Sequence, residues 1–122
     1  MSTIAINGVL GNTDKPNSPN VRFNLTTNSQ SPSVYGSVQI ISENPETGIL
    51  RGNVSGTSTK MGPNQMLHLN GLIPANDPLN PNLKLPFQAI MVLEAGDKGI
   101  GGFNFADMHQ EQLPVQYRKE DL

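Results

Sequence analysis

Val34-Tyr-Gly-Ser-Val-Gln-Ile-Ile-Ser42 and Ile49-Leu-Arg-Gly-Asn-Val-Ser-Gly-Thr57, joined by Glu43-Asn-Pro-Glu-Thr-Gly48, decide the fold class. Apolar and polar residues alternate in both runs, the period of a strand with one buried face. The connection is made of turn residues, so the pair reads as a β-hairpin. Asn44-Pro45 suits a type I turn because proline pre-sets φ at the second position, and Gly48 can take the left-handed geometry that closes the loop. Apolar matching sets an expected register. Ile40 then faces Val54, Val38 faces Gly56, Glu43 faces Arg51 and Asn44 faces Leu50, with a bulge at Gly48-Ile49. A slip of one residue would set Ile40 against Asn53 and turn side chains to the wrong face.

Outward from this hairpin the same signature recurs. Thr3 to Leu10 reads as a strand with Ile4 and Ile6 on one face, and Val21 to Thr27 as another with Val21, Phe23 and Leu25 inward. Between them, Gly11 to Asn20 carries Pro16, Pro19 and three asparagines and reads as a loop. Gln65 to Ile73 places Leu67, Leu69 and Ile73 together. Phe87 to Glu94 is apolar on both faces, with Phe87, Ala89, Met91 and Leu93 on one and Ile90 and Val92 on the other. That pattern predicts a strand covered on both sides, centrally or by a neighbouring subunit. Ala95 to Gly99 is a hairpin loop, Ile100 to Phe105 a strand, and Asp107 with Gln110 suits a capped helical turn. Leu113 to Tyr117 reads as a last edge strand and Arg118 to Leu122 as a solvated tail. Gly52, Gly56 and Gly71 share the inward parity of their strands, which suggests room for phenylalanines. About eight short strands separated by turn signals predict a single all-β domain, an antiparallel β-sandwich or flattened barrel with at most one helical turn.

Pro74 to Pro86 breaks the rhythm, with four prolines and three asparagines. Proline has no N–H to donate to a ladder, so this stretch reads as a long loop crossing from one sheet to the other. Ala75, Leu79 and Leu83 would offer apolar contact there. Asn76, Asn80 and Asn82 would bond a neighbour's backbone without the desolvation cost of a charge. With Ile90 and Val92, these residues form the candidate interaction surface.

Composition limits the function classes. Charged residues make up 15 % of the 122 and net charge is −2, against about 25 % charged in an average globular domain. Such a surface resists self-association weakly. An acidic balance with scattered lysines argues against nucleic acid, which needs a basic stripe. No apolar run approaches the ~20 residues of a membrane-spanning helix. The chain contains no cysteine, which removes disulfides and thiol chemistry. With no leading signal-like segment, the expected location is cytoplasmic, export by a signal-independent route being left open.

From about Val34 to Ala106 the chain resembles a family of small bacterial all-β proteins, domain of unknown function 1842. The residues that carry the resemblance are Gly52-Asn-Val-Ser-Gly-Thr57, His68-Leu-Asn-Gly-Leu-Ile-Pro74 and Met91-Val-Leu-Glu94 followed by Gly102-Phe-Asn-Phe105. Ile73 stands where an aromatic residue would precede the proline, and the chain has no tryptophan. The resemblance implies a fold and no activity.

Candidate chemistry is sparse. His68 shares a face with Met66 and Asn70 and reads as an ordinary strand histidine. Asp107, His109 and Glu111 lack the spacing of an established metal motif and read as a solvated connection. Ala95 to Gly102 has glycines and a lysine but neither the ending nor the following helix of a phosphate loop. Asn24-Leu-Thr26 and Asn53-Val-Ser55 match glycosylation acceptors but lie inside strands. No catalytic, cofactor or metal residue is assigned. The expected function is a non-enzymatic structural or interaction module that forms a homo-oligomer or larger assembly. The alternative is a small-ligand or glycan-binding β-sandwich, favoured by the many asparagines and glutamines, although without tryptophan it lacks the usual platform for sugars.

Overall fold

A computed structural model describes residues 3–13, 18–28, 30–41 and 48–122. Eight antiparallel strands follow one another round a ring: β1 (Thr3–Gly11), β2 (Asn20–Asn28), β3 (Ser31–Ile41), β4 (Ile49–Met61), β5 (Asn64–Pro74), β6 (Lys84–Glu94), β7 (Lys98–Phe105) and β8 (Met108–Asp121). Each pairs with its sequence neighbours, and β1 closes on β8 from Ile4 opposite Asp121 to Leu10 opposite Val115. The molecule is therefore a closed barrel, not two packed sheets. Closure gives every strand a neighbour on each side, so that among the described residues no strand is a free edge along its whole length.

Every predicted strand is present, but the C-terminal reading needs correction. Phe105 pairs directly with Met108 across Ala106 and Asp107, a tight turn with Ala106 at φ 54°, so Asp107 caps no helix. The described residues contain no helix. Leu113 to Tyr117 is the middle of a 14-residue strand paired on both sides, and the charged tail continues that strand.

Alternation places the core inside the ring. Ile6, Leu10, Phe23, Leu25, Val38, Ile40, Leu67, Leu69, Ile73, Phe87, Met91 and Leu93 are almost wholly buried and belong to one cluster. Phe87 lies 6.3 Å from Phe103 and 6.4 Å from Phe105, ring to ring, distances favourable for aromatic pairs. On β8 the alternation changes phase. Gln110 pairs with Phe103 and Leu113 with Gly101, so β8 holds one extra residue there, and Gln112 takes a φ of 54°. This β-bulge lets Met108 on one side and Leu113 and Val115 on the other all contribute to the core.

The hairpin register differs from the expected one by four residues. Ile40 pairs with Leu50 rather than Val54, Val38 with Gly52 rather than Gly56, and Arg51 with Gln39 rather than Glu43. A slip of four preserves which side chains point inward, so apolar matching alone does not separate the two registers. The observed one sets Gly36 against Val54 and Gly52 against Val38, pairing a residue without a side chain with a branched one inside the barrel. Gly48 has the expected positive φ of 75°, and the described ladder runs from Ile41–Ile49 onward without a register shift. The Asn44-Pro45 turn lies outside the described residues.

The inward parity of Gly52, Gly56 and Gly71 is as expected, and Gly71 stands opposite Phe87, but the close neighbours of Gly52 and Gly56 are not phenylalanines. A β-carbon on Gly56 would lie 1.7 Å from the backbone oxygen of His68, and one on Gly52 would meet Ile73. These positions let strands approach closely where the sheet curls. Prolines follow a related rule. Pro86 pairs with Leu72 one residue before the β6–β7 ladder begins, and Pro114 pairs with Ile100 one residue beyond the end of the β1–β8 ladder. Each sits where one neighbouring ladder has stopped and a missing N–H costs least.

Candidate functional site

The candidate interaction surface divides into two places. Residues 75–83 join adjacent strands at one end of the barrel and cross between no sheets. The loop is hydrogen-bonded throughout. Ala75 N–H donates to Leu83 O at 3.0 Å, Asn80 N–H to Asp77 O at 3.1 Å and Leu83 N–H to Asn80 O at 3.0 Å. The Asp77 carboxylate accepts from Leu79 N–H at 2.9 Å, an Asx-turn that replaces a backbone partner. Asn76 takes a φ of 55°. This frame holds Leu79 out at 87 % exposure, while Ala75 is half-buried and Asn76, Asn80, Asn82 and Leu83 are exposed. Ile90 and Val92 lie elsewhere, on the outer wall. Six residues of β6 separate Ile90 from Lys84, about 20 Å at ~3.3 Å per residue, so loop and wall form no single patch.

The wall is organised in cross-strand rows. Met66 pairs with Val92, Val92 with Ile100 and Ile100 with Pro114, giving an apolar row across β5, β6, β7 and β8. Ile100 in this row is 45 % exposed, and Ile90, in the adjacent row between His68 and Gly102, is 47 % exposed. Sequence reading found only the β6 contribution. A strand shows its own two faces in sequence, but a row running across strands exists only once registers are known.

Toward the 75–83 end a polar row follows, with Asn70 opposite Gln88, Gln88 opposite Asn104 and Asn104 opposite His109. His68 and Gln88 are linked at 3.0 Å. His109 lies between the Asn104 amide oxygen and Glu111, with 2.8 Å from its Nε2 to Glu111 Oε1. Both members of that pair are largely exposed, and such pairs contribute at most about 1 kcal/mol. Asp107 is in the turn, and no group of three or more histidine, cysteine and acidic residues arranged to hold a metal occurs among the described residues.

A third place was not anticipated. At the end of the barrel opposite the 75–83 loop, the ring opens into a mouth of about 560 Å³, with Ile4 and Ile6 in its lining and Thr27, Ser58, Lys60, Gln65 and Lys119 around it. These side chains share the inward parity of their strands, but the core stops below them. Gln65 pairs across the ladder with Lys60. Its amide N–H donates to Ser58 Oγ at 2.6 Å, and its Oε1 accepts from the Lys119 ammonium at 2.6 Å. Because lysine only donates, the amide orientation is fixed chemically. Lys119 also lies 5.9 Å from the centre of the Tyr117 ring. Tyr117 donates its hydroxyl proton to Glu94 O, and its own N–H donates to Asp97 O at 3.1 Å, tying the 95–97 turn to β8. Burial, and then the negative charges of Asp97 and Glu94, raise the Tyr117 pKa above its ordinary value of 10.0. The mouth was hidden in sequence because Lys119 looked like part of a solvated tail.

No curated protein matches the chain. One family model does, over residues 4–110, from the first strand into the last, a wider span than the central motifs alone suggested. The chain belongs to the family described as Domain of unknown function (DUF1842).

Proposed function

We propose that the protein is a non-enzymatic interaction module that self-associates through the outer wall of β5 to β8. The observation that carries this reading is the apolar row Met66–Val92–Ile100–Pro114 with Ile90 beside it, left open to water on a surface of low charge. Ring closure supports it in a second way. The barrel packs the inner face of β6 and has no second layer, so nothing in the described chain lies over Ile90. Burying an isoleucine contributes roughly 1.5–3 kcal/mol, so covering these half-exposed ones is worth about half that each. Association through side chains also fits a barrel in which no strand is a free edge along its whole length.

The apolar positions span roughly 14 Å across the four strands and about 7 Å along them, from strand spacing and rise, well below the ~800 Å² each partner contributes to a standard interface. The polar row of Asn70, Gln88 and Asn104 would complete it, giving reversible, concentration-dependent association rather than an obligate dimer. Light-scattering mass measured across a concentration series tests this. Mass should rise with concentration in the wild type and stay at one chain in Ile90→Lys/Ile100→Lys, with unchanged thermal unfolding at low concentration. A wild type of monomer mass at millimolar concentration overturns the reading.

A further inference from the structure

We infer that the open mouth of the barrel binds a small organic anion, an oxyanion head group on a short apolar body, independently of the outer wall. The charge distribution points to the anion. In a chain of net charge −2, two lysines, Lys60 and Lys119, line this cavity, and no acidic side chain lines it among the described residues. Asp121, opposite Ile4 at the end of β8, is exposed and outside the lining. Gln65 organises the donors. Standing across from Lys60, it accepts one hydrogen of the Lys119 ammonium and donates to Ser58. Among the described residues, that leaves the Ser58 hydroxyl hydrogen and two ammonium hydrogens of Lys119 to donate to a ligand.

The floor argues for the apolar body. Half-buried Ile4 lines the cavity above the fully buried Ile6, with Pro32 and Pro63 also in the lining, so an ion alone would leave apolar surface wet, whereas a short chain beneath the head group would cover it. A volume of about 560 Å³ lies within the usual range for small-molecule sites, which commonly occupy barrel mouths. Lysines act on an oxyanion as point charges without the paired geometry of arginine, so carboxylate and phosphate heads share the chemistry.

Isothermal titration with octanoate, hexyl phosphate, inorganic phosphate and octanol tests the inference. Saturable binding of octanoate or hexyl phosphate, weakened by salt, is expected, and the stronger of the two identifies the head group. Inorganic phosphate and octanol should each bind at least about tenfold more weakly, since each lacks one of the two contributions. Lys60→Met/Lys119→Met should abolish binding and Lys60→Arg/Lys119→Arg retain it, both with an unchanged unfolding midpoint. As a check that needs no variant, amide resonances of Ser58 and Gln65 should shift with octanoate and not with octanol. Octanol binding as tightly as octanoate overturns the inference, as does binding that survives loss of both lysines, or no saturable binding of either amphiphile to the wild type.

Discussion

The two ends of this barrel are built on opposite plans. At one, Leu10, Ile40, Leu50, Ile73, Phe87 and Phe105 fill the lumen and are all at least nine-tenths buried. At the other, the inward positions go to Thr27, Ser58, Lys60, Gln65 and Lys119, which leave the lumen open. The same ladder geometry supports both. A barrel stabilised mainly from one end can carry polar, incompletely packed groups at the other with little loss, because hydrophobic stabilisation follows the area removed from water.

Substitutions at the two ends should therefore differ sharply. Phe87→Ala removes a buried ring that touches two others, and urea unfolding should show a loss of about 3–5 kcal/mol. Lys60→Met/Lys119→Met at the open end should change stability by less than about 1 kcal/mol, as surface substitutions usually do. Equal losses would break the comparison. Gly56→Val sharpens it midway along the lumen. Its β-carbon would sit 1.7 Å from a backbone oxygen, so the ladder itself must move, at about 3 kcal/mol, the upper part of the overpacking range.

Gly48→Val, beside the plugged end, isolates strain from packing. Among the described residues beyond its chain neighbours, no atom lies within 4 Å of the added carbon, while φ is 75°, so the cost is that of a left-handed residue, about 1–2 kcal/mol. An unchanged melting temperature would show that the turn relaxes freely. Tyr117→Phe, near the open end, should cost about 1 kcal/mol, the worth of one hydrogen bond. It also carries a pH signature. The folded-state pKa of Tyr117 is raised above 10.0, so its contribution is complete below pH 10 and is lost as pH rises through the folded value. Alkaline titration of the wild type should show this fall in stability, and Tyr117→Phe should flatten it.

The alternating runs were enough to find all eight strands, because burial of one face imposes a period of two on each segment separately. What they left out depends on relations between segments. Ile40 stands opposite Leu50 and not Val54 because even-numbered slips keep the same faces inward. Closure of β1 on β8 made an interior strand of residues that looked like a charged tail. Gln112 hid the true length of β8, since the bulge breaks the period that would have joined Met108 to Leu113. Of the candidate surface, the alternation read Ile90 onto the face opposite the core, where it lies, but the other apolar residues of that wall, Ile100 and Pro114, belong to strands 10 and 24 positions further along the chain.

Closure of the ring also shapes how the chain reaches its native state. Seven of the eight ladders join strands consecutive in sequence and can form as local hairpins. The eighth brings Ile4 to Asp121, across nearly the whole chain, and the entropy of drawing the ends together must be met before that ladder gives any return. Folding should then be limited by this one seam. Before it closes, the outer edges of β1 and β8 are unpaired and open to a second molecule. Aggregation during refolding should therefore depend on how long the seam stays open, although in the finished barrel each strand has a neighbour on both sides.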